Sequence, residues 1–124
     1  MKRYVAVLDT NILLRFLLAD HPAQSPPAAR LIENASVASL YLAAVIIAEI
    51  AWVLKWRYHT PRSGIRDALQ RVMEAPSIHA DSITRNAVRH YASTNLDIAN
   101  CLLADRAEAG ELPLPQTTYE RGAA

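Results

Sequence analysis

Apolar and polar residues fall in blocks along this chain, and the period of the pattern changes from block to block. Tyr4-Val5-Ala6-Val7-Leu8 is a short β-branched and aromatic run, which predicts a strand buried on both faces. Ile12 to Leu18 reads as an apolar helix. Ser25-Pro26-Pro27 predicts a helix start, with Ser25 as cap and proline in the first turn. Ala28, Leu31, Ile32 and Ala35 continue that helix at helical spacing. Ser39 to Val45 predicts a second strand leading into a helix from about Ile47 to Tyr58. Ile65, Ala68, Leu69, Val72 and Met73 mark another helix by their i, i+3, i+4 spacing. Ser77 to Ala80 predicts a short strand, after which Asp81 or Ser82 caps a helix carrying Ile83, Ala87, Val88 and Tyr91. Ile98 to Ala109 is apolar on most sides and predicts a buried helix ended by Gly110.

A final strand is expected over Leu112 to Tyr119, although Pro113 and Pro115 would each remove a ladder donor. Strand and helix signals thus alternate, which predicts an α/β fold with a mainly parallel sheet. The 124 residues suit a single domain, 1–124, with a sizeable core and no internal repeat or low-complexity linker.

Composition narrows the function classes. Apolar residues make up 52% of the chain and only three are glycine, which argues against disorder. A net charge of +1 supplies no global field toward nucleic acid or a membrane. The positive charge is eleven Arg against two Lys, and Arg suits phosphate recognition. One cysteine excludes an internal disulfide, and no apolar run is long enough to span a bilayer. With no signal peptide ahead of the first strand, a cytoplasmic protein without membrane attachment is expected.

The candidate chemistry is acidic. Asp9, in Leu8-Asp9-Thr10-Asn11, falls where a strand opens into a helix, the edge at which open α/β sheets place ligands. It equally suits a helix cap. Glu49 has Val45, Ile46, Trp52 and Val53 one turn away on either side, so it is expected along a buried stripe, as a site residue or as a buried paired acid. Asp97 and Asn100 share the start of the last apolar helix and can face one point, with a simple cap as the other reading of Asp97. Glu120 follows Thr118-Tyr119 at the end of the expected last strand, where an ordinary exposed glutamate is also natural.

Carboxylates from several elements suit a hard dication such as Mg²⁺, which takes oxygen ligands and keeps several waters, leaving room for a phosphate. One Cys and four scattered His do not make a zinc site. There is no nucleophile elbow and no glycine-rich phosphate loop. A phosphoacceptor or phosphatase pocket is disfavoured, because Asp9 lacks a nearby second acid and lysine.

In order and spacing, Leu8-Asp9-Thr10-Asn11, Asp20-His21-Pro22-Ala23-Gln24, Ala48-Glu49-Ile50-Ala51-Trp52-Val53-Leu54, Asp97 through Ala104 and Thr118-Tyr119-Glu120-Arg121 resemble the PIN-domain ribonucleases, in particular the VapC-type toxins of bacterial toxin–antitoxin pairs. The resemblance runs over essentially the whole chain. It implies a three-layer α/β/α sandwich, a Mg²⁺ or Mn²⁺ site, endonuclease action on RNA, inhibition by a small cognate antitoxin, and a homodimer. It implies catalytic and metal-site roles for Asp9, Glu49, Asp97 and Asn100, a metal role for Glu120, and site support from Thr10, Asn11 and Thr118. Two positions depart from the family pattern: Asn100 stands where an acid is usual, and Glu120 where aspartate is usual. A weakened toxin, or a catalytically silent PIN domain that keeps antitoxin or RNA binding, is the alternative these departures raise.

From Lys55 to Arg71 the charges are Lys55, Arg57, Arg62, Arg66 and Arg71 against Asp67 alone. Trp56, Tyr58 and His59 lie among them, so Lys55, Arg57, Arg62 and Arg66 are candidate RNA contacts. A solvated helix face with Trp56 packed beneath is the other reading.

Overall fold

The computed structural model describes residues 4–110. Its elements divide between two compact units, Met1–Ala80 and Asp81–Ala124. The first holds β1 (Ala6–Val7), α1 (Thr10–Leu18), α2 (Ser25–Asn34), β2 (Leu40–Tyr41), α3 (Ala44–Trp56), α4 (Arg62–Glu74) and β3 (Ile78–His79). The second holds α5 (Ser82–Ser93) and α6 (Ile98–Glu108). The strand expected over Leu112 to Tyr119, with Pro113 and Pro115, lies outside the described residues.

The three short strands pair in parallel in the order β1-β2-β3, with Ala6 opposite Leu40 and Leu40 opposite Ile78. Flanking bonds lengthen the ladder beyond these pairs: the Val5 N–H donates to Ser39 O at 2.8 Å and the Leu8 N–H to Tyr41 O at 2.8 Å. The expectation that the first strand is buried on both faces is corrected. Leu8 is 1% exposed, whereas Val5 and Val7 are 76% and 67% exposed. Alternate side chains leave a strand on opposite sides, and only the Ala6–Leu8 side of β1 meets the core.

The core of this unit gathers Leu8, Leu13, Leu40, Leu42, Ile47, Ile50, Leu69, Val72 and Ile78. α1 and α2 pack on each other, and α3 packs on α1 and α4. α1 buries Leu13, Leu14 and Phe16 and ends at Ala19, which takes a left-handed φ of 52°. Arg71 of α4 lies over the Phe16 ring at 4.4 Å, so this guanidinium is committed to α1.

The start of α2 differs from the sequence expectation. Ser25 is its first residue rather than a hydrogen-bonded cap, and its buried hydroxyl accepts the His21 N–H at 3.1 Å. The Ser25 N–H in turn donates to His21 O at 2.9 Å, so the side chain secures the preceding turn.

In the second unit, the Asp81 carboxylate caps α5 by accepting the Thr84 N–H at 2.7 Å. Burial works to raise its pKa, but the Thr84 amide and hydroxyl and the Arg106 guanidinium outweigh it and hold the carboxyl below its ordinary value. α6 buries Ile98, Cys101, Leu102, Asp105 and Ala107, while Leu103 is exposed. It is therefore not buried all round, since Leu103 reaches the surface. Gly110, at φ 82°, follows its C-cap Ala109, as a left-handed helix stop requires.

Candidate active site

The corner of the first unit where β1 opens into α1 brings two of the expected residues together. Asp9 is the N-cap of α1, with one carboxylate oxygen accepting the Ile12 N–H at 2.8 Å. The capping and site readings of Asp9 are compatible, since capping engages Oδ1 and the side chain is exposed. Thr10, the next residue, donates its hydroxyl to the Glu49 carboxylate. A contact across 39 residues thus ties the first turn of α1 to the middle of α3.

Glu49 is exposed, which corrects the expectation of a carboxylate along a buried stripe. α3 is apolar on two opposite faces. Ile47, Ile50, Ala51 and Leu54 turn inward at i, i+3, i+4 and i+7. Val45, Glu49, Trp52 and Trp56 form the opposite face, and Val45, Trp52 and Trp56 are 61%, 60% and 56% exposed. The apolar neighbours of Glu49 mark an open surface. Val45, Glu49 and Trp52 of this face line, with Thr10, Ala48 and Val53, a cleft of about 410 Å³.

Asn11, expected to support the same site, is exposed and lines a different groove between α1 and α2, of about 350 Å³, with Ile12, Arg15, Gln24, Pro27 and Leu31. In the second unit, Asp97 occupies the N-cap position of α6 but its side chain makes no capping hydrogen bond. Its simple-cap reading therefore holds by position alone. Asn100 is half-buried in the first turn of the same helix. Thr118 and Glu120 lie outside the described residues.

A PIN domain family model matches residues 6–114, most of the chain. The chain belongs to the PIN domain family. No curated protein and no solved structure matches it. The parallel sheet and its helices agree with the α/β architecture of that family, a nuclease-type domain that typically binds divalent metal ions. Among the described residues, no helix is long and apolar enough to cross a membrane.

The donors this PIN domain offers at the Asp9–Glu49 corner are all oxygen: two carboxylates and a threonine hydroxyl. That chemistry fits Mg²⁺ or Mn²⁺, which accept one or two carboxylates and complete their shells with water and phosphate oxygens. Among the described residues, no group of three or more His, Cys, Asp or Glu is placed to hold an ion.

Of the expected RNA contacts, Lys55 and Arg57 are exposed at the end of α3, and the Lys55 ammonium stands 5.0 Å from the Trp56 ring centroid. Arg66 pairs with Asp67 at 3.2 Å and Arg62 is half-buried. Trp56 is 56% exposed, so it is not buried beneath a solvated helix face. Two features escaped the sequence reading. Trp52 is a surface residue, foreshadowed only by the double apolar face of α3. Asp105 is buried and pairs with His90 Nδ1 at 2.9 Å, a contact between α5 and α6 with no sequence signal.

Proposed function

We propose that this PIN domain is a Mg²⁺- or Mn²⁺-dependent endoribonuclease, the toxin of a toxin–antitoxin pair, restrained by a small cognate antitoxin and acting as a homodimer. The observation that carries the reading is the Thr10–Glu49 hydrogen bond, which holds one family acid against the residue that follows the other. Family motif positions add Asp97, Asn100 and Glu120 to Asp9 and Glu49 as residues to hold the ion. A bound dication would activate water and offset the charge that develops on the phosphate during hydrolysis. The chain's own residues do the positioning. The Ile12 amide fixes one oxygen of Asp9, and Thr10 fixes one oxygen of Glu49. Lys55 and Arg57 supply charge for the RNA backbone.

The test is cleavage of single-stranded RNA with Mn²⁺ by wild type, Asp9→Asn and Glu49→Gln. Wild-type cleavage lost in both variants, with a Mn²⁺-dependent rise in melting temperature that a variant carrying both changes lacks, supports the reading. Asn100 in place of a family acid favours a second reading, a silent domain that binds antitoxin or RNA without cutting. Normal folding and RNA binding without cleavage at any Mn²⁺ concentration selects it.

A further inference from the structure

The outer face of α3 carries both tryptophans of the chain in the open, at positions 52 and 56. Residues four apart on a helix lie on one face, about 6 Å apart along its axis. Exposing two large aromatic rings to water forfeits apolar burial worth retaining, so such a pair marks a binding surface. Three observations say what binds. Trp52 lines the 410 Å³ cleft together with Glu49 and Thr10, so one ring stands beside the candidate active site. Trp56 is presented with a cation, the Lys55 ammonium. Beyond it Arg57, Tyr58 and His59 are all exposed, with His59 at a left-handed φ of 50° and the Thr60 N–H closing the turn on Leu54 O at 2.9 Å.

We infer that Trp52 and Trp56 are the base-stacking residues of this nuclease: successive unpaired bases of a single-stranded RNA stack on them while Lys55 and Arg57 hold the phosphates. The inference rests on the nuclease reading above and names the side chains that grip its strand. Alternating aromatic rings and cations match the chemistry of single strands, whose bases present open π-faces, whereas a duplex hides them. A second copy of the chain fits this face poorly. Interface cores are depleted in Lys and Glu, and a self-contact here would bury Glu49 at the centre of the apolar patch.

Trp52 and Trp56, as the chain's two tryptophans, report directly. With the full chain in EDTA, titration with a short mixed-sequence single-stranded RNA should quench the tryptophan fluorescence, and the same sequence as a duplex should quench it far less. Trp52→Ala and Trp56→Ala should each weaken single-strand binding about tenfold, equivalent to about 1.4 kcal/mol, and Trp→Phe at either position should restore most of it. With Mn²⁺ the alanine variants should raise KM while kcat stays within about twofold, because stacking on these rings serves ground state and transition state alike. Cleavage that is indifferent to both alanine variants overturns the stacking role and leaves the nuclease reading intact. Stacking-dependent binding with no cleavage by wild type does the reverse. A shift from dimer to monomer in the alanine variants, with RNA affinity unchanged, assigns the face to a second copy and also overturns the inference.

Discussion

The hydroxyl of Thr10 donates to the carboxylate of Glu49, although neither residue's local sequence points to the other. The bond removes one rotational freedom from an exposed glutamate and leaves its second oxygen for an ion or water. Thr10→Ala should therefore lower RNA cleavage about tenfold through a misoriented Glu49, while Thr10→Ser keeps most of it. Stability should fall by only about 1 kcal/mol, the net worth of one hydrogen bond. Cleavage rates beside thermal melts separate the two effects.

Asn100→Asp restores the charge usual at that family position. With Mn²⁺ present it should raise cleavage by about tenfold, on the order of 1.4 kcal/mol in the barrier. Unchanged cleavage here, with cleavage abolished by Asp97→Asn, would assign the third ligand to Asp97.

Asp81 links pH to the stability of the second unit. Its folded pKa lies below the ordinary value of 3.8, so its contribution is complete above that value and lost as pH falls through the folded pKa. Asp81→Asn retains a competent cap but loses the charge facing Arg106, so its acid unfolding should be shallower than that of wild type. Asp81→Ala loses the cap as well and should cost about 1 kcal/mol at neutral pH. Melting temperatures from neutrality down through the carboxylate range measure both.

His90 and Asp105 form a pair in which the acid is 8% exposed and the imidazole 52%. Removing the exposed partner leaves a buried carboxylate unpaired. His90→Ala should destabilise by about 1–3 kcal/mol, and adding Asp105→Asn should recover part of that, because an amide is cheaper to bury unpaired than a charge. A strictly additive double-mutant cycle by denaturant melts would show that the pair carries no coupling.

The local elements were legible because each depends on neighbours in sequence. The spacing of Ile65, Leu69 and Val72 predicts α4, which buries those residues. The sequence offers Asp81 or Ser82 as the cap of α5, and Asp81 takes that place, since capping is decided within three residues. The order of acids along the chain pointed to the family, and the family model covers residues 6–114. Ser25 shows the limit of this reasoning: its cap-like setting was plain, but its hydroxyl turned back to His21.

Tertiary structure decided which way the ambiguous helices face. α3 has apolar residues on both sides, so periodicity alone cannot choose between Ile47-Ile50-Leu54 and Val45-Trp52-Trp56 as the buried set. Packing against α1 and α4 chose the first, and so turned Glu49 outward beside Thr10 instead of into the core. α6 repeats the case: its composition predicted burial on most sides, yet Leu103 is exposed and Asp105 is buried against His90. Sequence determines the period and the ends of each element, because those follow from local backbone and side-chain preferences. Which face is buried, and which distant side chain completes a hydrogen bond, depends on surfaces that exist only once the elements have packed.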